Sequence, residues 1–172
     1  EITIINKSTT KLMELLKSHE IDFVIDSEPI KAVEKDMTIK HIKRIENVFV
    51  ANENYDISDI KTVKDLENHP LILPIKGTAN RNNLEEYFIK NDCSINNILN
   101  IHTSEVIIGA IKRNLGIGYV IKDLVTDELE KGTLKEIKLP NLPTVGISLV
   151  YVKDYMTISP KLFLNKYYNI DI

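Results

Sequence analysis

The run Leu71-Ile72-Leu73-Pro74-Ile75-Lys76-Gly77-Thr78-Ala79-Asn80-Arg81 compresses a strand, a glycine-containing loop and the start of a helix into a few residues. Three aliphatic residues form a short buried strand that Pro74 ends, because proline cannot donate to a ladder. A helix over about 82–90 follows, with Leu84, Tyr87 and Phe88 at inward-facing positions. The same order then repeats. Residues 98–101 read as a strand, Thr103 or Ser104 as an N-cap, and residues up to about Asn114 as a helix, after which Ile117-Gly118-Tyr119-Val120 resumes as strand. Strands alternating with helices through short loops predict an α/β fold with mostly parallel pairing.

Outward from this centre the pattern holds. On the N-terminal side Ile2-Thr3-Ile4-Ile5 reads as a strand, residues 11–18 as a helix with Leu12, Leu15, Leu16 and His19 on one face, and Thr9 or Thr10 as its N-cap. Ile21-Asp22-Phe23-Val24-Ile25 is a second buried strand that ends at the loop Asp26-Ser27-Glu28-Pro29. Residues 39–45 are moderately strand-like, Val48-Phe49-Val50-Ala51 firmly so, and Thr62 with Asp65 three positions later marks a short helix start. On the C-terminal side a helix over 122–130 ends at Gly132, residues 134–139 and 145–152 are strands, and Ser159-Pro160 opens a last helix with proline at its first position. Gly116 occupies the place of a left-handed helix stop.

Composition bounds the function. A chain of 172 residues buries roughly 70% of its unfolded surface, so it folds without a disulfide or a metal. Cys93 is the single cysteine, which removes a disulfide framework and a cysteine-based zinc site and fits a reducing, cytoplasmic compartment. The longest apolar run, Val106-Ile107-Ile108-Gly109-Ala110-Ile111, is broken by Lys112 and Arg113, well short of the ~20 residues of a membrane span. The start at Glu1 carries neither a basic region nor an apolar core, so it reads as neither a signal peptide nor a natural beginning. A net charge of −3 with only Arg44, Arg81 and Arg113 argues against a nucleic-acid surface on these residues.

Catalytic patterns find little support. His19, His41, His69 and His102 are scattered with no metal-binding spacing, and no nucleophile elbow exists. Glu85-Glu86 reads as a solvated helix face. Gly116-Ile117-Gly118 follows a helix and precedes a strand, the reverse of the order a dinucleotide loop requires, so both glycines read as packing residues. What remains is a set of hydroxyl-rich strand-to-helix junctions: Ser8-Thr9-Thr10, Gly77-Thr78 and Thr103-Ser104. In an open α/β sheet such junctions fall at the carboxyl ends of strands, and each opens a helix whose unpaired N–H groups favour an anion or polar head group. Capping alone explains any single one of them; three together predict a small-molecule pocket.

The order of these pieces resembles the effector-binding domain of LysR-type transcriptional regulators. The segment from Leu12 to Ile25 resembles that family's helix and following "G-x-(I/L)-D-(L/F)-x-I" strand, with His19 or Glu20 where glycine is common. Asp65-Leu66, Pro70-Leu71-Ile72-Leu73, Gly77-Thr78, Arg81 and Leu84-Glu85 resemble its "D-L-x-x-x-P-L-I-L…G-S-x-x-R-x-x-L-(D/E)" segment. Ser104-Glu105 with Leu115-Gly116-Ile117-Gly118-Tyr119-Val120, then Leu129-Glu130-Lys131-Gly132-Thr133-Leu134, and finally Ser159 to Phe163 supply three further motifs in family order, although Ile121-Lys122 replaces a usual proline.

The resemblance implies a type 2 periplasmic-binding-protein-like fold: two Rossmann-like α/β lobes joined by two crossover segments, lobe I being 1–50 and 146–172 and lobe II 51–145, with the family's leading strand and helix absent. It implies a small polar or anionic effector held between the lobes by Ser8, Thr9 and Thr10 from one and Gly77, Thr78, Thr103 and Ser104 from the other. It further implies a homodimer or homotetramer that meets DNA only through an N-terminal winged helix-turn-helix, with no cofactor, no membrane contact and no enzymatic activity. The rival readings are a transporter's solute-binding protein, which needs export or an anchor, and an enzyme on the same fold, which needs a nucleophile or acid–base pair that these junctions do not supply.

Overall fold

The computed structural model describes residues 2–31 and 33–172. The chain forms two compact units, Glu1–Arg44 with Gly146–Ile172, and Ile45–Val145. It passes from the first to the second inside strand β2 (Met37–Asn52) and returns inside β7 (Thr144–Val152).

The first unit contains α1 (Thr9–Lys17), β1 (Phe23–Ser27), the beginning of β2, most of β7 and α5 (Ile158–Tyr168). β1 pairs antiparallel with β7, from Phe23 opposite Tyr151 to Ser27 opposite Ile147. Successive side chains of a strand point to opposite faces, and β7 uses both. Val150 and Val152 pack with Met13 and Leu16 of α1, Val24 and Met37. Leu149 and Tyr151 pack with Met156, Leu164 of α5 and Ile170. Covered on both sides, β7 reads as a continuous apolar run rather than an alternation.

The second unit contains the rest of β2, β3 (Leu71–Pro74), α2 (Ala79–Lys90), β4 (Ile98–Ile101), α3 (Ser104–Lys112), β5 (Ile117–Ile121), α4 (Thr126–Lys131) and β6 (Leu134–Ile137). β3 pairs parallel with both β4 and β5, while β2 pairs antiparallel with β5 and β6. Phe49, Leu71, Leu73, Ile117 and Tyr119 face Leu84, Tyr87 and Phe88 of α2. Val48, Val50, Ile72 and Val120 face Ile107, Ala110 and Ile111 of α3. The Phe49 and Tyr119 rings lie 4.9 Å apart at the centre of the first cluster. Tyr119 is fully buried, its hydroxyl donates to the Pro143 carbonyl at 3.3 Å, and burial pushes its phenol well above the ordinary value.

Helix ends show how a chain with six glycines turns corners. Four helices stop at a left-handed residue that is not glycine: His19 after α1, Asp92 after α2, Asn114 after α3 and Asn169 after α5. At α1 the amides of His19 and Glu20 bond back to the carbonyls of Leu16 and Leu15, the paired bonds of a Schellman stop. His19 thus holds a left-handed conformation that glycine adopts without steric cost.

Several expectations are corrected. Residues 2–5 are not a strand: they pair with no described strand, and Ile2 and Ile4 are exposed, because aliphatic content alone cannot make a strand without a ladder partner. The cap of α1 is Ser8 rather than Thr9 or Thr10. Residues 39–45 and 48–51 are one continuous strand. Pairing is mixed rather than mostly parallel, because β1 runs antiparallel to β7 and β2 antiparallel to β5 and β6. The 122–130 helix is a 3-10 turn over Lys122–Leu124 followed by α4. Pro160 is the third residue of α5, whose cap is Thr157. The left-handed stop after α3 is Asn114; Gly116 is required instead because a Cβ there would overlap the Pro70 carbonyl oxygen.

Candidate functional site

The three hydroxyl junctions behave differently. At the first, Ser8 Oγ accepts the Lys11 amide at a long 3.5 Å, and Thr9 Oγ1 donates to Asp26 Oδ2 at 2.6 Å, tying the start of α1 to the carboxyl end of β1. Thr10 is exposed. At the second, Thr78 Oγ1 accepts the Arg81 amide at 3.2 Å and donates to the Ile75 carbonyl at 3.1 Å, a closed local cap. Gly77 precedes it with φ +88° and open space around its Cβ position, so glycine is there for the turn and not for close packing. At the third, Thr103 takes the cap position of α3 without a side-chain capping bond, and Ser104 begins the helix. The first-turn N–H groups of α3 therefore have no side-chain cap, and the positive end of its dipole is offset only by Glu105 in that turn.

Sheet topology brings four of these residues to one edge of the second unit. β3 and β4 are parallel with Pro74 opposite Ile101, and the Ile75 amide bonds to the Ile101 carbonyl at 3.1 Å. The loops carrying Gly77 and Thr78, and Thr103 and Ser104, consequently leave from neighbouring strand ends. Ser8, Thr9 and Thr10 belong to the other unit.

Three residues at this edge carry more than the sequence suggested. Arg81 is almost fully buried; its Nη1 donates to the Pro74 carbonyl and to Asn100 Oδ1, both at 2.8 Å, and its Nε to Glu85 Oε1 at 3.0 Å. It fastens α2 to the ends of β3 and β4. Glu85, although 39% exposed, is thereby also the partner of a buried cation, whereas Glu86 simply faces water. Asn47 stands opposite Ile121 at the carboxyl end of β5, hence on the same edge, and its Oδ1 accepts Asn80 Nδ2 at 3.0 Å. Asn47 Nδ2 and Asn80 Oδ1 are buried without a partner. The signal for Asn47 was a polar residue directly ahead of the apolar run 48–51, but only the sheet shows that it is buried.

Other polar clusters involve other residues. In the first unit Glu28 accepts from Ser148 Oγ and meets His41 Nδ1 at 2.8 Å, and both bonds hold its carboxyl below the ordinary carboxylate value. In the second unit the Tyr55 hydroxyl lies 3.2 Å from His69 Nδ1. Cys93 donates to the Val63 carbonyl and burial pushes its thiol up to about 11, so it is an inert packing residue. A groove of about 500 Å³ lined by Asn83, Tyr87, Lys90 and Asn141 runs along another side of α2 and holds none of the junction residues. Among the described residues, no group of three or more His, Cys, Asp or Glu side chains is arranged to hold a metal ion. None of their helices is long and apolar enough to cross a membrane.

Comparison with known proteins gives this edge a context. Residues 1–164 match the family model of the LysR substrate binding domain. Among solved structures the chain is similar to the cofactor-binding domain of the Cbl transcriptional regulator, with a TM-score of 0.77 at 20% identity over 94% of this chain and 72% of that one. It is similar to the Synechocystis PCC6803 CcmR regulatory domain in complex with 2-PG, with a TM-score of 0.74 at 16% identity over 91% and 76%. It is also similar to the effector binding domain of QuiR in complex with shikimate, with a TM-score of 0.72 at 18% identity over 95% and 79%. No curated protein is a significant sequence match. With the family model covering nearly the whole chain and the fold shared with such domains, the type 2 periplasmic-binding-protein-like architecture is established, and the chain belongs to the LysR substrate binding domain family.

Proposed function

We propose that this chain is the effector-sensing part of a LysR-type transcriptional regulator and that it binds a small polar or anionic metabolite without transforming it. The observation that carries this reading is the start of α3, where Thr103 and Ser104 stand at a helix N-terminus with no side-chain cap, one strand away from the Gly77-Thr78 turn. Backbone N–H groups and hydroxyls aimed at one edge complement a carboxylate or phosphate and supply no nucleophile or general base. The two ligand complexes among the similar structures, with 2-PG and with shikimate, support a ligand of this polarity.

Regulation then requires differential affinity. The effector must bind one arrangement of the subunits better than another; a 100-fold preference is worth about 2.7 kcal/mol, and equal binding to both changes nothing. The regulator works in the cytoplasm as a homodimer or homotetramer, and a winged helix-turn-helix belonging to the same regulator contacts DNA. The test is a thermal-shift and calorimetric screen of anionic metabolites against the chain and against Thr103→Ala and Ser104→Ala. Each variant is expected to weaken binding by about 1–3 kcal/mol for the lost hydrogen bond. Anions that bind both variants as tightly as the parent would overturn the assignment.

A further inference from the structure

Beyond an anion site at α3, we propose that the buried amide pair Asn47–Asn80 reads a hydroxyl group on the effector, which makes the ligand class hydroxylated carboxylates rather than simple ones. This rests on the reading of α3 above and adds a second, chemically distinct point of recognition at the same sheet edge. Asn47 is only 3% exposed, and among the described residues it is one of three buried polar ones, the others being Arg81 and Ser148. Arg81 donates to Pro74, Asn100 and Glu85, and Ser148 to Glu28. Asn47 is satisfied on one side alone. Its Oδ1 accepts from Asn80 Nδ2, leaving Asn47 Nδ2 as an unpaired donor and Asn80 Oδ1 as an unpaired acceptor, both buried.

That balance does not depend on how the two amides are oriented. Exchanging oxygen and nitrogen on both side chains reverses the direction of the bond between them and again leaves one donor and one acceptor. A group that completes the pair must therefore accept and donate at once. A hydroxyl does so; a carboxylate only accepts and an ammonium only donates, and either would leave one buried atom unpaired, a penalty on the order of ten-fold in affinity.

Position favours the same conclusion. Asn80 is the second residue of α2, two residues after the Thr78 cap, and Asn47 in β2 stands opposite Ile121 at the carboxyl end of β5. The Thr78 hydroxyl is already committed to Ile75 and Arg81, so the open hydrogen-bonding capacity at this junction belongs to the amides. A half-satisfied buried pair weakens the fold, and only replacing both amides by apolar residues would remove that cost. Polar groups kept at the expense of stability beside a binding edge are what ligand recognition requires.

The experiment uses matched acids that differ by one hydroxyl: glycolate with acetate, malate with succinate, and citrate with tricarballylate. Binding to the whole chain is measured by calorimetry and thermal shift for the parent, Asn47→Leu, Asn47→Asp and Thr103→Ala. The expected result is at least one hydroxy acid preferred about ten-fold or more over its partner. Asn47→Leu should erase that preference while lowering the melting temperature, because Asn80 Nδ2 loses its acceptor, and the near-isosteric Asn47→Asp, which keeps that acceptor and loses the donor, should erase the preference as well. Thr103→Ala should weaken both members of a pair alike, preserving their ratio. A panel in which no hydroxy acid is preferred, including one in which none binds, overturns the proposal, as does a preference that survives both Asn47 variants. Unchanged anion binding in Thr103→Ala instead defeats the α3 reading, a separate outcome from the hydroxyl ratio.

Discussion

Replacing Arg81 separates what its charge contributes from what its bulk contributes. The side chain is 2% exposed and makes three hydrogen bonds: two from Nη1, at 2.8 Å each, to the Pro74 carbonyl and Asn100 Oδ1, and one from Nε, at 3.0 Å, to Glu85. Bonds from a charged donor are worth about 1.5–3 kcal/mol each when buried, and the Asn100 bond falls at or below the lower end because Asn100 is an exposed residue that water can reach after the change. The Glu85 pair contributes only about 0.3–0.5 kcal/mol, since that carboxylate is 39% exposed and sits one helical turn away. Removing the guanidinium also relieves the cost of keeping a charge out of water, which offsets part of the loss. The expected destabilisation for Arg81→Met, which keeps the bulk, is about 2 kcal/mol. Arg81→Ala adds a cavity beneath α2 and should cost a further 1–2 kcal/mol, roughly. Urea unfolding followed by circular dichroism measures both. An Arg81→Met variant within about 0.5 kcal/mol of the parent would refute the idea that this side chain fastens α2 to β3 and β4.

Three further outcomes follow from the same geometry. Gly118→Ala should destabilise by about 1–3 kcal/mol in the same unfolding assay, because a Cβ there would overlap Ile111 Cδ1 and press on Ile107, forcing α3 away from β5; an unchanged midpoint would show that α3 shifts freely. Asp92→Gly should stabilise by about 0.5–1 kcal/mol, since it relieves a left-handed residue at φ 52° and removes an anion from a helix C-terminus, at the loss of only an exposed 3.4 Å pair with Lys64; a lowered melting temperature would contradict it. Glu28 is held below its ordinary carboxylate value by His41 first and then Ser148, so its contribution to stability is present above about pH 4.5 and fades as pH falls through the lower folded value. Denaturation of parent and Glu28→Gln between about pH 7 and pH 3 should show the gap between them closing at the acid end, and parallel curves would refute this.

Much of the second unit was legible because its signals are local. Proline after Leu71-Ile72-Leu73, Thr78 ahead of an amphipathic run with Leu84, Tyr87 and Phe88, and Gly132 after a helix each act within a few residues, and each is realised. The misreadings share a different origin. Ile2 to Ile5 carry strand-like residues, but a strand exists only with a partner. Asn114 rather than Gly116 stops α3, because asparagine tolerates the left-handed region, while Gly116 answers to Pro70, a residue far away in sequence. Thr78 and Thr103 look alike in the chain, yet one hydroxyl is consumed by its own turn and the other is not.

The amino-acid order by itself determined the alternation of strands and helices, the inward face of α2, the packing role of Gly116 and Gly118 and the motif order shared with the family. These rest on periodicity, capping and turn chemistry, which act over a few residues. Tertiary structure alone decided that β1 and β7, and β2 and β5, pair antiparallel, that Arg81 is buried and engaged, and that Asn47 and Asn80 meet with one donor and one acceptor left over. The physical reason is that pairing direction, burial and hydrogen-bond satisfaction depend on which distant segment lies opposite, and that is fixed only when the sheet closes over its cores.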